Sequence, residues 1–244
     1  MINAKSLLDQ FMGSGGTSGL GEKAKSAMGG GGMSGGGMSG GGMSGALGGA
    51  AAGGLLALLV SSKGARKLGG KALTYGGAAA VGALAFRAWQ NYRDGKQPGA
   101  AETPTEPLPP PKDSAFDAEN TAAADGLPFA LTLVRTMIAA AKADGHVDAA
   151  EQKKLFDHVD DQGFDNETKA WMFDELRKDQ DVAELARAAK GPEQAAEIYL
   201  AARMTIDPDD PQEQHFLREL SVRLDLPREL VQHLDAEVEA QARA

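Results

Sequence analysis

Residues 126–152 read GLPFALTLVRTMIAAAKADGHVDAAEQ, and the order of signals in this stretch decides the fold class. Leu127, Leu131, Val134, Ile138 and Ala141 step by four and three residues, which puts them on one face of a helix, and Pro128 suits its first turn. An acidic turn follows, Asp144-Gly145-His146-Val147-Asp148, and then a new helix start marked by Asp148, Glu151 and Gln152. The same punctuation continues to the end of the chain. Helices are predicted over 148–160, 166–178, 182–190, 192–206, 211–224 and 227–243, with Asp165 as an N-cap and Pro192, Pro211 and Pro227 in first turns. No stretch alternates with period two for long enough to make a strand. The expectation is an all-α fold, with a C-terminal bundle of about seven helices over 125–244, long enough to bury its own core.

The acidic turn has a partner in sequence. Asp148-Ala-Ala-Glu151-Gln152 and Asp210-Pro-Gln-Glu213-Gln214 align at an offset of 62 residues, each preceded by a further acid, Asp144 or Asp207. Two readings of this pattern stand side by side. In one, Asp148 and Asp210 accept from backbone N–H groups and Glu151 and Glu213 close capping boxes, placing carboxylates where the helix dipole favours them. In the other, the first turn resembles the second half of an EF-hand loop, matched at Gly145, Val147, Asp148 and Glu151. Ala140 and Lys142 stand where that motif needs acidic ligands, so an ordinary EF-hand is excluded. A site shared by the two turns would draw on Asp144, Asp148, Glu151, Asp207, Asp210 and Glu213, hard oxygen ligands suited to calcium or magnesium.

The N-terminal part of the chain is physically different. Of 32 glycines, 27 precede Gln97; residues 1–96 carry 10 Lys and Arg against 3 Asp and Glu, whereas 97–244 carry 15 against 31. The balances of +7 and −16 rule out one uniform globule and make the C-terminal region repel nucleic acid. Residues 1–45 combine a short amphipathic helix, read as a frayed terminus, with a Gly/Met/Ser-rich tether containing three copies of GGMSG. Met33, Met38 and Met43 are soft enough for copper(I), but a Gly/Ser tether fixes no geometry for them, and the linker reading is preferred.

Residues 46–96 hold two uncharged apolar runs, 46–60 and 72–86, of 15 residues each. Both are shorter than the roughly 20 residues a spanning helix needs. Their small residues at four-residue spacing, with Lys63, Arg66, Lys67 and Lys71 between them and Arg87, Trp89, Tyr92 and Arg93 after them, predict a helical hairpin in or on a membrane. The same small-residue faces offer a route to homo-oligomers. Residues 97–124 include PGAAETPTEPLPPPKDS, a polyproline-II spacer expected to hold the acidic domain (125–244) away from the basic hairpin.

At Asp144-Gly145-His146-Val147-Asp148 with Glu151 and the second acidic turn, the chain resembles the TerB-like helical domains associated with tellurite-resistance gene clusters and stress proteins. With SSKGARKLGGKAL at 61–73 ahead of that domain, the whole is similar to YebE-type bacterial inner-membrane proteins of unknown function. The resemblance implies an acidic all-helical domain, association with the bacterial inner membrane with that domain on the cytoplasmic side, and a metal-sensing or partner-binding role in stress response. It implies no enzyme activity. The residues agree: there is no cysteine, no His-x-x-x-His pair, no Gly-x-Ser-x-Gly elbow and no phosphate loop. The functional expectation is a non-enzymatic membrane-associated adaptor whose acidic domain binds a protein partner or a divalent ion, with no cofactor otherwise. The alternative is a soluble calcium- or magnesium-responsive stress protein with a flexible N-terminal tether.

Overall fold

The computed structural model describes residues 2–12, 77–99, 110–111, 114–143, 165–179, 181–206 and 208–243. Among these, eight helices occur: α1 (Ala4–Phe11), α2 (Gly77–Arg93), α3 (Phe129–Ala141), α4 (Asn166–Arg177), α5 (Val182–Arg187), α6 (Pro192–Thr205), α7 (Pro211–Arg223) and α8 (Arg228–Arg243). Extended pairing among the described residues is confined to an isolated antiparallel bridge between Ala122 and Pro128, so the fold is all-α. That bridge closes a turn at Gly126, whose φ of +85° favours a residue without Cβ. Asp125 Oδ1 accepts from Leu127 N at 2.9 Å inside the same turn.

The helix boundaries follow their local chemistry. The Asp165 carboxylate accepts from Thr168 N (2.7 Å) at the start of α4, and Asp181 accepts from Ala183 N (2.8 Å) at the start of α5. Pro192 and Pro211 occupy first-turn positions of α6 and α7, where a missing N–H costs nothing. At the end of α7, Asp225 takes φ +52°, and the Leu226 amide donates to Ser221 O, turning the chain into α8. The predicted helix over 148–160 lies outside the described residues.

α6 is the centre of the molecule. Every residue from Gln194 to Thr205 is buried, and the helix packs against α2, α3, α5, α7 and α8. A helix buried on all sides has no solvent face on which to place charge. Glu197 and Arg203 are accordingly inside.

Two elements depart from expectation. The N-terminal helix is no frayed end: Leu7 and Leu8 are fully buried, Met12 nearly so, and α1 packs against α3 and α2. Burying two leucines stabilises by about 1.5–3 kcal/mol each. Lys5 adds an ion pair with Glu119, and Asn3 Oδ1 accepts from Ser6 N at 3.0 Å. The second departure is larger. Residues 77–93, read from sequence as part of a hairpin held apart from the acidic domain, form a helix that packs against α6, α8 and α1 within the same core.

The small residues of α2 explain how it fits. Ala80, Ala83, Ala85 and Ala88 are buried together with Val81 and Leu84. At Gly82 a Cβ would run into the carbonyl oxygen of Phe116, so the backbone of the 114–117 turn lies directly on the helix. The faces expected to serve helix–helix contact in lipid are here taken up by contacts within the chain. The flanking residues are also engaged. Arg87 Nε donates to Glu237 Oε2 of α8 at 2.8 Å. Trp89 packs edge-to-face on Phe116 with ring centroids 6.0 Å apart, and Tyr92 does the same on His233 of α8 at 6.3 Å. Among the described residues, no helix is long and apolar enough to cross a membrane.

Candidate functional site

Of the six carboxylates proposed as ion ligands, Asp144, Asp148, Glu151 and Asp207 lie outside the described residues. The structure places the other two. Asp210 is the N-cap of α7, its Oδ1 accepting from Gln212 N at 2.7 Å, and Gln214 Nε2 braces the turn by donating to Pro208 O at 3.0 Å. Glu213, in the first turn of the same helix, is buried. Asp210 thus performs the same task as Asp165 and Asp181. At Asp165 the Thr168 amide holds the carboxyl below the usual range. Among the described residues, no group of three or more His, Asp or Glu side chains is placed to hold a metal ion.

Just ahead of the first acidic turn in sequence, the end of α3 is anchored to α4. Lys142, just past the end of α3, reaches across to α4, where its ammonium donates to Leu176 O (3.0 Å) and Lys178 O (2.7 Å). Those are carbonyls the helix end leaves without intrahelical donors. Burial lowers the lysine's pKa, while Asp179 and Glu175 oppose the shift. One turn back, Arg135 NH2 meets Glu175 Oε1 at 2.9 Å, with both side chains largely buried.

The most unusual polar group in the described structure was not singled out from sequence. Glu197, midway along α6, has no exposed surface, and neither carboxylate oxygen has a hydrogen-bond partner among the described residues. Its Oε1 lies 3.2 Å from the position a Cβ on Gly82 would occupy, so the group is pressed into the α2–α6 contact. Burial pushes its pKa well above the ordinary carboxylate value, and the negative charge of Asp117 pushes in the same direction. Both effects favour the protonated acid. The signal in the sequence was weak: AAEIYLAA is apolar around the glutamate, but Glu193 and Gln194 lie one turn earlier on the same side of the helix.

One turn further along α6, a second polar group is handled differently. Tyr199 OH donates to Asp235 Oδ1 of α8 at 3.0 Å, and Arg203 Nε stands 3.3 Å from the same oxygen. Arg203 NH1 also donates to Ile206 O at 3.1 Å. Burial raises the pKa of Asp235, and Arg203 and the Tyr199 hydroxyl oppose that shift; burial and Asp235 raise that of Tyr199. Here the charge is compensated and ties α6 to α8.

Outside the core, a half-open groove of about 570 Å³ runs along α2. Phe86, Trp89 and Phe116 supply its aromatic wall, with Gln90, Arg93, Asp94, Ser114 and Glu193 at its edges. Phe86 and Phe116 meet edge-to-face at 5.5 Å, which fixes the wall. The groove offers aromatic faces and charges of both signs.

Residues 45–238 match the family model described as a protein of unknown function, DUF533. The chain belongs to the DUF533 family. No curated protein and no solved structure matches it. The DUF533 match begins ahead of α2 and ends within α8, so it takes in α2 together with the helices that bury it. α1 lies outside the matched span yet fills part of the core.

Proposed function

We propose that this DUF533 protein is a non-enzymatic adaptor at the bacterial inner membrane, in which a TerB-like helical domain on the cytoplasmic side offers a binding surface to a protein partner. Residues 46–76, with the apolar run at 46–60 and the cations Lys63, Arg66, Lys67 and Lys71, carry the membrane contact. The observation that carries the reading is the docking of α2 between α6 and α8. The helix that follows the basic segment in sequence is part of the domain core. The aromatic groove along α2 lies on that helix. A role in stress response follows the resemblance of the acidic turns to TerB-like domains. The divalent-ion reading draws on six carboxylates, of which the structure describes two, Asp210 as a helix cap and Glu213 as a buried side chain.

Cell fractionation tests the proposal. The full chain is expected in the membrane fraction and to be extracted by detergent, whereas a chain lacking residues 46–76 but retaining α2 is expected in the soluble fraction, still folded. Equal partition of the two chains into the soluble fraction would defeat the membrane reading.

A further inference from the structure

A carboxyl group in the middle of a helix–helix contact, without a hydrogen-bond donor, is tolerated only while it is neutral. Glu197 is in that position: fully buried on α6, against Gly82 of α2, with the 114–117 turn closing over it. Among the described residues, several cations on neighbouring elements are engaged elsewhere. Arg87 of α2 is engaged with Glu237 of α8, Arg135 of α3 with Glu175, and Arg203 of α6 with Asp235 of α8. On the remaining neighbours, Arg187 of α5 pairs with Asp181 and Arg223 of α7 with Glu219, both at the surface. The charged group that does act on Glu197 is Asp117, whose sign opposes ionisation.

We propose that Glu197 is a proton-operated latch on α2: with its proton it sits against Gly82 and lets the helix dock, and on losing it drives α2 out of its bed between α6 and α8. α6 packs against α2, α3, α5, α7 and α8; α2 packs against α1, α6 and α8, meets Glu197 at a glycine and is fastened to α8 by Arg87–Glu237 and Tyr92–His233. Separation of α2 from α6 gives the carboxylate water without dismantling the contacts of α6 with α3 and α7. Release uncovers the apolar face made by Val81, Leu84, Ala85 and Ala88. The latch concerns docking within the chain and stands whether or not residues 46–76 touch a membrane.

The sign of the effect is fixed by linkage. A carboxyl whose pKa is higher in the docked than in the released state contributes its full stabilisation below its ordinary value, about 4.5. That contribution fades as pH rises towards the docked value, by up to about tenfold in the docking equilibrium per pH unit. Amide hydrogen exchange on the full chain between about pH 5.5 and 9, corrected for the intrinsic pH dependence of exchange, reads this directly. The expected result is that protection of α2 amides falls with rising pH while α7 amides keep theirs, that Glu197→Gln flattens the α2 profile, and that Asp117→Asn makes it shallower. A flat α2 profile in the wild-type chain would overturn the latch, with no variant needed. So would loss of protection in α2 and α7 in step, or a slope unchanged in Glu197→Gln.

Discussion

The carboxyl of Glu197 lies against Gly82, two residues 115 positions apart in sequence that meet where α6 packs on α2. Each depends on the other's size and state. Gly82 leaves room for the 114–117 turn and for the acid, whose pKa is raised by burial.

Gly82→Ala is therefore expected to destabilise the chain, although alanine is the better helix former by about 1 kcal/mol. The added methyl meets a backbone oxygen, that of Phe116, which cannot rotate away. Overpacking of this kind costs about 1–3 kcal/mol, and a net loss of about 1–2 kcal/mol is expected. Urea unfolding with an unchanged m-value would measure it.

The stability of the wild-type chain should decline as pH rises above about 4.5, through the pH range in which buried Glu197 is forced to ionise. Glu197→Gln removes that proton, so its stability relative to wild type should improve steadily with pH. Chemical unfolding of both chains at matched pH values gives the comparison. A difference that stays constant with pH would show that Glu197 does not titrate with folding.

The Arg87–Glu237 pair joins α2 to α8 with the glutamate side chain only 10% exposed. Removing one member leaves the other charge partly buried and uncompensated, so Arg87→Ala and Glu237→Ala should each cost about 2–3 kcal/mol, somewhat below the range for fully buried pairs. The double variant should lose clearly less than the two single losses combined, the signature of direct coupling in a double-mutant cycle.

At the second acidic turn, Asp210→Ala should cost about 1 kcal/mol, and Asp210→Asn or Asp210→Ser should restore most of it, because each supplies an acceptor for Gln212 N. Thermal unfolding distinguishes this from a ligand role. Recovery by serine is expected of a cap and not of a calcium or magnesium carboxylate.

Legibility of the sequence divided along the range of the interactions involved. The starts of α4, α6 and α7 were readable at Asp165, Pro192 and Pro211 because a cap or a first-turn proline acts on residues two or three positions away. The placement of α2 was not readable in the same way. Small residues such as Gly82, Ala85 and Ala88 permit close approach to any helix, in lipid or in protein, and what decides between them is the partner surface, here supplied by residues from Phe116 to Glu237. The 97–124 segment was read as a stiff spacer on its prolines, yet the described part of it, at Pro110 and Phe116, packs back onto α2. Glu197 was passed over because a charge on a helix is normally at the surface, and Glu193 and Gln194 one turn earlier offered it polar company. α1 was judged on its length, while its burial rests on Leu7 and Leu8 meeting elements distant in sequence.

The central claim is that residues 46–76 tie a domain with α2 in its core to a lipid surface. Flotation with vesicles of phosphatidylethanolamine and phosphatidylglycerol tests it most directly, comparing the full chain with one lacking residues 46–76. The account predicts that the full chain floats and carries a protease-resistant 77–243 domain with it, while the shortened chain stays at the bottom of the gradient, folded. A full chain that stays at the bottom with the shortened one would contradict it.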